Sequence, residues 1–516
     1  MQTEKEYITE RSIVGLHSES AGEYPLPDYN GDVKRVLMIN PRVVPTGKFI
    51  SEGSVEFSGS VFYDVVYLDA ENNVSHADFS TDYELAVKTD AESYEDSYVT
   101  TSISAYNVRL VGPRKFSAKC SLASDVRIAE KRTLSVGGDA FDGHEPEILT
   151  CAASVIQPMF AAGNESEHKE ELLSLDGAIE DEVSVLLCNA AAEVSSVSAD
   201  SAGADLKGDV TLTVVYKNMN EPIASKSVRV PYSAHVDAAD LDTCRSLYGR
   251  VDITSLKTEI IPTEDGVIVQ AEFNASPSVR GLKNETLDIL RDSYLKEGGT
   301  SNEYSDFSYA EHICTESMES DFSTSVPLGT LSDGNIVGFA FVNSTVRTDE
   351  CELDGDRVRI KGEIRFSAIA IEDNGDDGED YTNVKISAPF EEYVNINCQN
   401  HDNVRVECHV DAGGERMEVS DNNALASCSL LFTVTLNSQR KQRCLGASYL
   451  TGEEFEHDDS VITVYYPDER ESVFDIAKKF HTSVQCIAED NLLSQAVFAS
   501  PDSPVKAFGY KKLMIK

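Results

Sequence analysis

The residues best equipped for chemistry in this chain of 516 residues are its ten histidines, eleven cysteines and 89 acidic side chains. None of them stands in an arrangement that a reaction requires. The sequence holds no GxSxG elbow, no HExxH pair, no P-loop and no GxGxxG turn. His401 and His409 are the nearest histidines, with Cys408 beside one, and their spacing fits no zinc set. The acidic run Glu372 to Asp380 resembles a calcium loop only at first sight. Counted from Asp373, the third position is Gly375, which has no side-chain oxygen, and the twelfth is Val384, where a bidentate glutamate is needed. It reads as a solvated turn. No metal and no cofactor is expected. Because a triad is assembled in space, a hydrolase with an unrecognised site stays open. Asn40, Asn189 and Asn343 recur at intervals of 149 and 154 residues. They could repeat a ligand site three times, but the reading favoured here is that each satisfies a turn or bulge through its side chain.

The elements behind this pattern start with Glu52 to Asp69, where Val55, Phe57, Val61, Tyr63, Val65 and Tyr67 alternate with polar residues around Gly59. Successive strand side chains point to opposite faces, so this is a half-buried β-strand. The glycine marks a bend, a bulge or a close backbone approach. The stretch returns around Gly208 and Gly362, at the same intervals of 149 and 154, and each glycine lies 19 residues after its asparagine. Strand, glycine and asparagine recurring together predict a threefold repeat of domain-sized units.

The formal charge of -45 repels phosphate, so nucleic acid and anionic lipid are excluded as partners. It leaves a solvated surface or a docking face for a basic partner or divalent cations. The odd cysteine count lacks any CxxC, and Cys120 and Cys428 fall in phase with apolar strand positions. That usage predicts buried free thiols in a reducing compartment. The first residues carry no apolar signal core, and no run reaches the roughly 20 apolar residues of a membrane span. No membrane span is expected, and a cytoplasmic location follows by default.

The predicted fold class is mainly β, with three repeated sandwich-like β domains and a small βααβ domain. The domains are expected at 20–150, 165–282 and 325–445, with a helix and acidic linker over 283–324 and the small domain at 461–516. The helix rests on Leu287, Leu290 and Tyr294 at helical spacing before Gly298-Gly299. The linker rests on the polar, serine-rich composition of 298–323. In the tail, Ser472 with Asp475, and Thr482 with Gln485, read as capping boxes of two short helices. Asn491 suits the stop of the second.

That tail resembles a LysM module, on Tyr466-Pro467, the run Glu471 to Phe480, Thr482 to Val484, Asn491-Leu492 and Lys512 to Ile515. The resemblance implies a groove for N-acetylglucosamine glycans such as peptidoglycan. Its walls would be Arg470, Glu471, Ser472 and Val473 on one side, and Asn491, Leu492 and Leu493 on the other. Arg470 stands where the family usually has glycine, and Phe474 where it often has tryptophan. Phe474 and Phe480 are read as core residues, given their helical phase. The region 24–128, with PLPDYNGDVKRVL, the Gly59 strand and YLDAENN, resembles the SPOCS-domain family. That resemblance implies a non-enzymatic assembly protein of the spore envelope, made on the mother-cell side and docking a spore-envelope protein partner through its β domains, by strand addition at exposed edges, and through the LysM module. The alternative is a cell-wall protein that binds peptidoglycan glycan.

Overall fold

A computed structural model of the chain describes residues 4–28, 30–51, 53–88, 93–219, 221–375, 378–396, 403–455, 461–499 and 502–516. Glu52, Asp376, Asp377 and His401, on which expectations were placed, lie outside the described residues.

Almost every segment before the tail is a strand. Unit 1 comprises β1 (Glu4–Pro25), β2 (Val33–Ser51), β3 (Ser54–Asp69), β4 (Val74–Lys88), β5 (Ser93–Gly112) and β6 (Lys115–Ser135). Unit 2 opens with β7 (Glu147–Ala162) and β8 (Ser166–Asp176). It continues through β9 (Ser184–Ala199), β10 (Gly203–Lys217), β11 (Ala224–Asp237), β12 (Ser246–Pro262) and β13 (Gly266–Tyr294). Unit 3 comprises β14 (Gly298–Pro327), β15 (Ile336–Asp354), β16 (Arg357–Asp373), β17 (Glu379–Asn395), β18 (Val404–Ser420) and β19 (Asn423–Glu454). The module that follows has β20 (Thr463–Tyr465), α1 (Val473–Phe480), α2 (Val484–Asp490), α3 (Gln495–Ala499) and β21 (Leu513–Ile515).

Each unit is a sandwich of two antiparallel sheets. One sheet orders its strands β2-β3-β4, β9-β10-β11 or β15-β16-β17, and the other orders them β1-β6-β5 in unit 1 and β14-β19-β18 in unit 3. In unit 2 the second sheet is built on β13, with β12 on one side and β7 and β8 on the other. The alternating strands face these layers. Val61, Tyr63, Val65 and Tyr67 of β3 pack on Phe116, Ala118, Cys120 and Leu122 of β6, all in one core.

The glycine is explained by its neighbours. Gly59 lies opposite Tyr83, Gly208 opposite Tyr232 and Gly362 opposite Phe390 on the next strand. At Gly59 and Gly362 that ring lies in the space a side chain would fill, whereas at Gly208 the Glu193 carbonyl oxygen of β9 does. On the other flank the pairing slips at equivalent places, between Pro45 and Gly47, opposite Gly208 between Val194 and Ser196, and between Thr348 and Glu350. One extra residue there bends each strand alike.

Two expectations are overturned. Of the residues read as a helix, 284–297, those up to Tyr294 form instead the end of β13, paired with β7, and the last three connect it to β14. Leu287 and Ile289 alternate as strand residues do, and a bulge between Leu290 and Asp292 shifts the phase so that Tyr294 is also buried. The bulge imitates a helical interval. The residues read as a linker belong to β14, a strand of 30 residues paired along β19. The strands of the three units accordingly occupy 4–135, 147–294 and 298–454.

The units close on one another around a shared core. Leu37, Leu186 and Ala340 meet there, as do Met38, Leu187 and Phe341, and Val66, Val215 and Ile369. Each trio keeps the spacing of 149 and 154, so the contacts obey an approximate threefold axis. Head-to-tail bonds join the ring: Lys217 Nζ donates to Val74 O at 2.7 Å, and Asn383 Nδ2 to Leu37 O at 2.8 Å. The far ends of the long strands form a second junction, where Val155, Leu287, Ile289, Phe307 and Cys444 pack with Tyr7 and Leu134.

Candidate functional site

Two places gather polar side chains from distant parts of the chain. The first is the ring axis. Asn40 Nδ2 donates to Asn189 Oδ1 at 3.3 Å, and Asn343 Nδ2 donates to Asn40 Oδ1 at 3.2 Å. The recurring asparagines therefore bond to one another across three units rather than each to its own turn. Each lies opposite a polar residue of the central strand, respectively Asp64, Thr213 and Ser367. Only the first is acidic. Burial, with Asp78 nearby, pushes the Asp64 carboxyl up to about 6, against the pull of Arg42 and Asn40.

Within the same ring but farther from that core, a small recess of about 70 Å³ is lined by residues of all three units, among them Tyr98, Arg127, Tyr248, Arg280, Glu407 and His409. Its two arginines are paired. Arg280 holds Glu10 at 2.5 and 3.0 Å, and Arg127 lies 3.0 Å from Glu407. Against the cost of burial, Asp411 at 3.0 Å raises the His409 imidazole above its ordinary value. Ser246 on the same wall shares a 2.8 Å hydrogen bond with His312 Nε2, and His312 Nδ1 lies 3.2 Å from Asn437 Oδ1. Serine, imidazole and amide have the connectivity of a nucleophile, base and orienter. Here, however, the imidazole is sealed at 2 % exposure. The His312 backbone is clamped on both sides by Asn284. With Asn284, the trio joins β12 and β13 to β14 and β19, which is the work of a clamp between units 2 and 3. No spacing in the sequence announces it, because its members come from distant strands.

The second place is the C-terminal module. Ser472 caps α1: its Oγ accepts from Asp475 N while Asp475 Oδ2 accepts from Ser472 N. The cap of α2 is Ser483, one residue beyond the expected Thr482, and it accepts from Cys486 N. Val473, Phe474, Ile476 and Ile487 fill the module's core with Leu513 and Ile515 of β21.

The structure separates the seven groove residues by duty. Ser472 and Val473 are buried. Glu471 accepts from Tyr465 Oη and Asp468 N and faces Lys479. Although burial opposes its charge, these partners hold its carboxyl below the usual range. Asn491 staples α2 to β21, donating to Ile487 O and Met514 O and accepting from Met514 N. Leu493 is half-buried, its N–H bonded to Ala488 O. Arg470 and Leu492 remain exposed, Leu492 at 88 % and with a φ of 52°. The first wall is bonded to the segment after α3, where Val505 N donates to Glu471 O at 2.9 Å.

The module is seated on the tip of the β7–β13 ribbon. Tyr294 Oη donates to Thr482 O at 2.6 Å, and its ring meets Phe474 edge-on at 5.2 Å. Asp292 accepts from Lys478 at 2.7 and 2.8 Å, from Tyr304 at 2.8 Å and from Asn302 at 2.7 Å. Burial works against the Asp292 charge, yet these donors hold its carboxyl below the ordinary value. Arg291 pairs with Asp502 at 2.6 Å.

No family model, curated protein or solved structure matches this chain. Among the described residues no group of three or more metal-ligating side chains occurs, and no helix is long and apolar enough to cross a membrane.

Proposed function

We propose that the chain is a non-enzymatic assembly protein of the spore envelope, a platform that presents its C-terminal module to a protein partner. The observation that carries this reading is the seat of the module. A Tyr294 hydroxyl, an Asp292–Lys478 pair and a shared apolar core fix residues 461–516 on unit 2. A module held at a set angle on an interlocked ring suits positioning rather than turnover. The LysM and SPOCS resemblances supply the setting. Within the LysM-like groove, Glu471, Ser472, Val473 and Asn491 are committed to the module's own structure, so Arg470 and Leu492 are the side chains offered to a partner.

Strand addition at sheet edges is the less favoured docking mode. The edge strands β11 and β17 carry Pro231 and Pro389 at matching places, one residue before the ring opposite the glycine. Proline lacks the N–H that a pairing strand needs.

Purification of the tagged protein from sporulating cells tests the proposal. An envelope protein should co-purify with the full chain and be lost from Arg470→Ala/Leu492→Ala. Retention on purified peptidoglycan that depends on residues 461–516 would favour the cell-wall reading instead. Labelling of Ser246 by a fluorophosphonate would overturn the non-enzymatic assignment.

A further inference from the structure

The three sandwiches close the same open edge by three different chemistries, and one of them is oxidisable. In unit 3 the strands β15 and β18 are the edges of their two sheets and pack against each other. Ser344 on β15 donates to Glu415 on β18 at 2.7 Å, which fixes how the two strands face. Seven residues onward along β15 and seven back along β18 stand Cys351 and Cys408. Each strand carries one bulge over that interval, at Thr348–Glu350 and at Gly413–Arg416, so both keep their side chains in phase. Both thiols border the core of unit 3 and both are half-buried. Across this packed edge the two thiols interact, which favours the thiolate at Cys351 and disfavours it at Cys408, while the Cys408 thiol donates to His409 O at 3.9 Å.

The corresponding place in the other units is sealed without sulfur. Lys48 stands at the Cys351 position in unit 1 and Val197 in unit 2, by the repeat spacing. Lys48 Nζ reaches across to Asp96 and to Ser97 O. Val197 packs over Gly249, with its Cγ2 in the space a side chain there would take. An ion pair and an apolar contact thus do in units 1 and 2 what two thiols do in unit 3.

We propose that Cys351 and Cys408 form a redox-active dithiol that a small-molecule disulfide converts into a covalent staple across the edge of unit 3. The Cys351 thiolate attacks one sulfur of that disulfide, forming a mixed disulfide and releasing one small thiolate. Cys408, on losing its proton, attacks the Cys351 sulfur and expels the second. The two protein protons end on the two released thiols, and the protein loses the two electrons that the small disulfide gains. Cys351 is half-buried on an edge strand between exposed Glu350 and Glu352, so the reagent reaches it from solvent. The staple would close a loop of 57 residues, long enough to constrain the unfolded chain strongly.

The test uses the full chain titrated with glutathione disulfide, then alkylated and mapped by mass spectrometry. The expected result is one intramolecular Cys351–Cys408 linkage, formed before any other protein disulfide and removed by dithiothreitol. Exposed Cys486 should gain only a glutathione adduct. The thermal midpoint should rise on oxidation of the wild type and stay unchanged for Cys351→Ser. Glutathione adducts on Cys351 or Cys408 without the linkage would overturn the proposal, as would linkages spread over several cysteine pairs. Because the wild-type map decides the matter, a poorly folding variant does not protect the idea.

Discussion

Gly208 and Gly59 occupy equivalent places, yet substitution at the two should differ in cost. A Cβ on Gly208 would lie 1.9 Å from the Glu193 carbonyl oxygen, which belongs to the backbone and cannot yield. A Cβ on Gly59 would meet the outer ring of Tyr83, which can turn aside. Gly208→Ala should therefore cost about 2–3 kcal/mol and Gly59→Ala about 1 kcal/mol in urea unfolding. Equal losses would refute the difference. Asp64 makes a second prediction. Its folded-state carboxyl titrates near 6, above the unfolded value. The folded chain then binds the extra proton between about pH 4 and pH 6, so stability falls as pH rises through that window and levels off above it. Asp64→Asn should remove this loss, worth on the order of 2 kcal/mol. An unchanged pH slope would refute the assignment. The recurrence of Asn40, Asn189 and Asn343 was legible in the sequence, but their purpose was not. Residues 149 apart that bond to each other leave the same trace as residues that each serve a local turn.

At the scale of elements, legibility followed the side-chain period. The strands β3, β10 and β16 alternate cleanly because each is the middle of its sheet, with one face on a core. The strands β13 and β14 misled for separate reasons. A bulge in β13 placed Leu287, Leu290 and Tyr294 at a helical interval. In β14 small polar residues such as Ser320 and Thr324 alternate with Met318, Phe322 and Val326, thinning the apolar signal. The helices of the module were readable because Ser472 and Asp475 cap α1 from within a few residues. The seat beneath them was not, since Asp292 and Lys478 lie far apart in sequence. That seat should respond to acid. The Asp292 carboxyl is held below its usual range, so its contribution is complete above about pH 4 and is lost as the pH falls below that. Hydrogen exchange should show α1 and the tip of β13 loosening together under acid while the sandwich cores stay protected. Tyr294→Phe should weaken the same seat by about 1 kcal/mol through loss of its bond to Thr482. Unchanged exchange in α1 for that variant would argue against the contact.

The whole molecule is three copies of one sandwich that bury residues against one another as well as within themselves. Leu37, Leu186 and Phe341 have no use for an isolated unit; they are apolar because the ring covers them. The strongly acidic surface repels itself, and the shared core opposes that repulsion. An interlocked ring also accounts for a module that is bolted down rather than tethered, and the proposed docking role depends on that rigidity. Scanning calorimetry of the wild type and Phe341→Ala tests this most directly. The side chain of Phe341 belongs to unit 3 but packs with units 1 and 2, and its removal should cost about 3–5 kcal/mol. A single transition for residues 4–454 that moves down as a whole in the variant is the predicted result. Three separable transitions, with only the one belonging to unit 3 displaced, would contradict it.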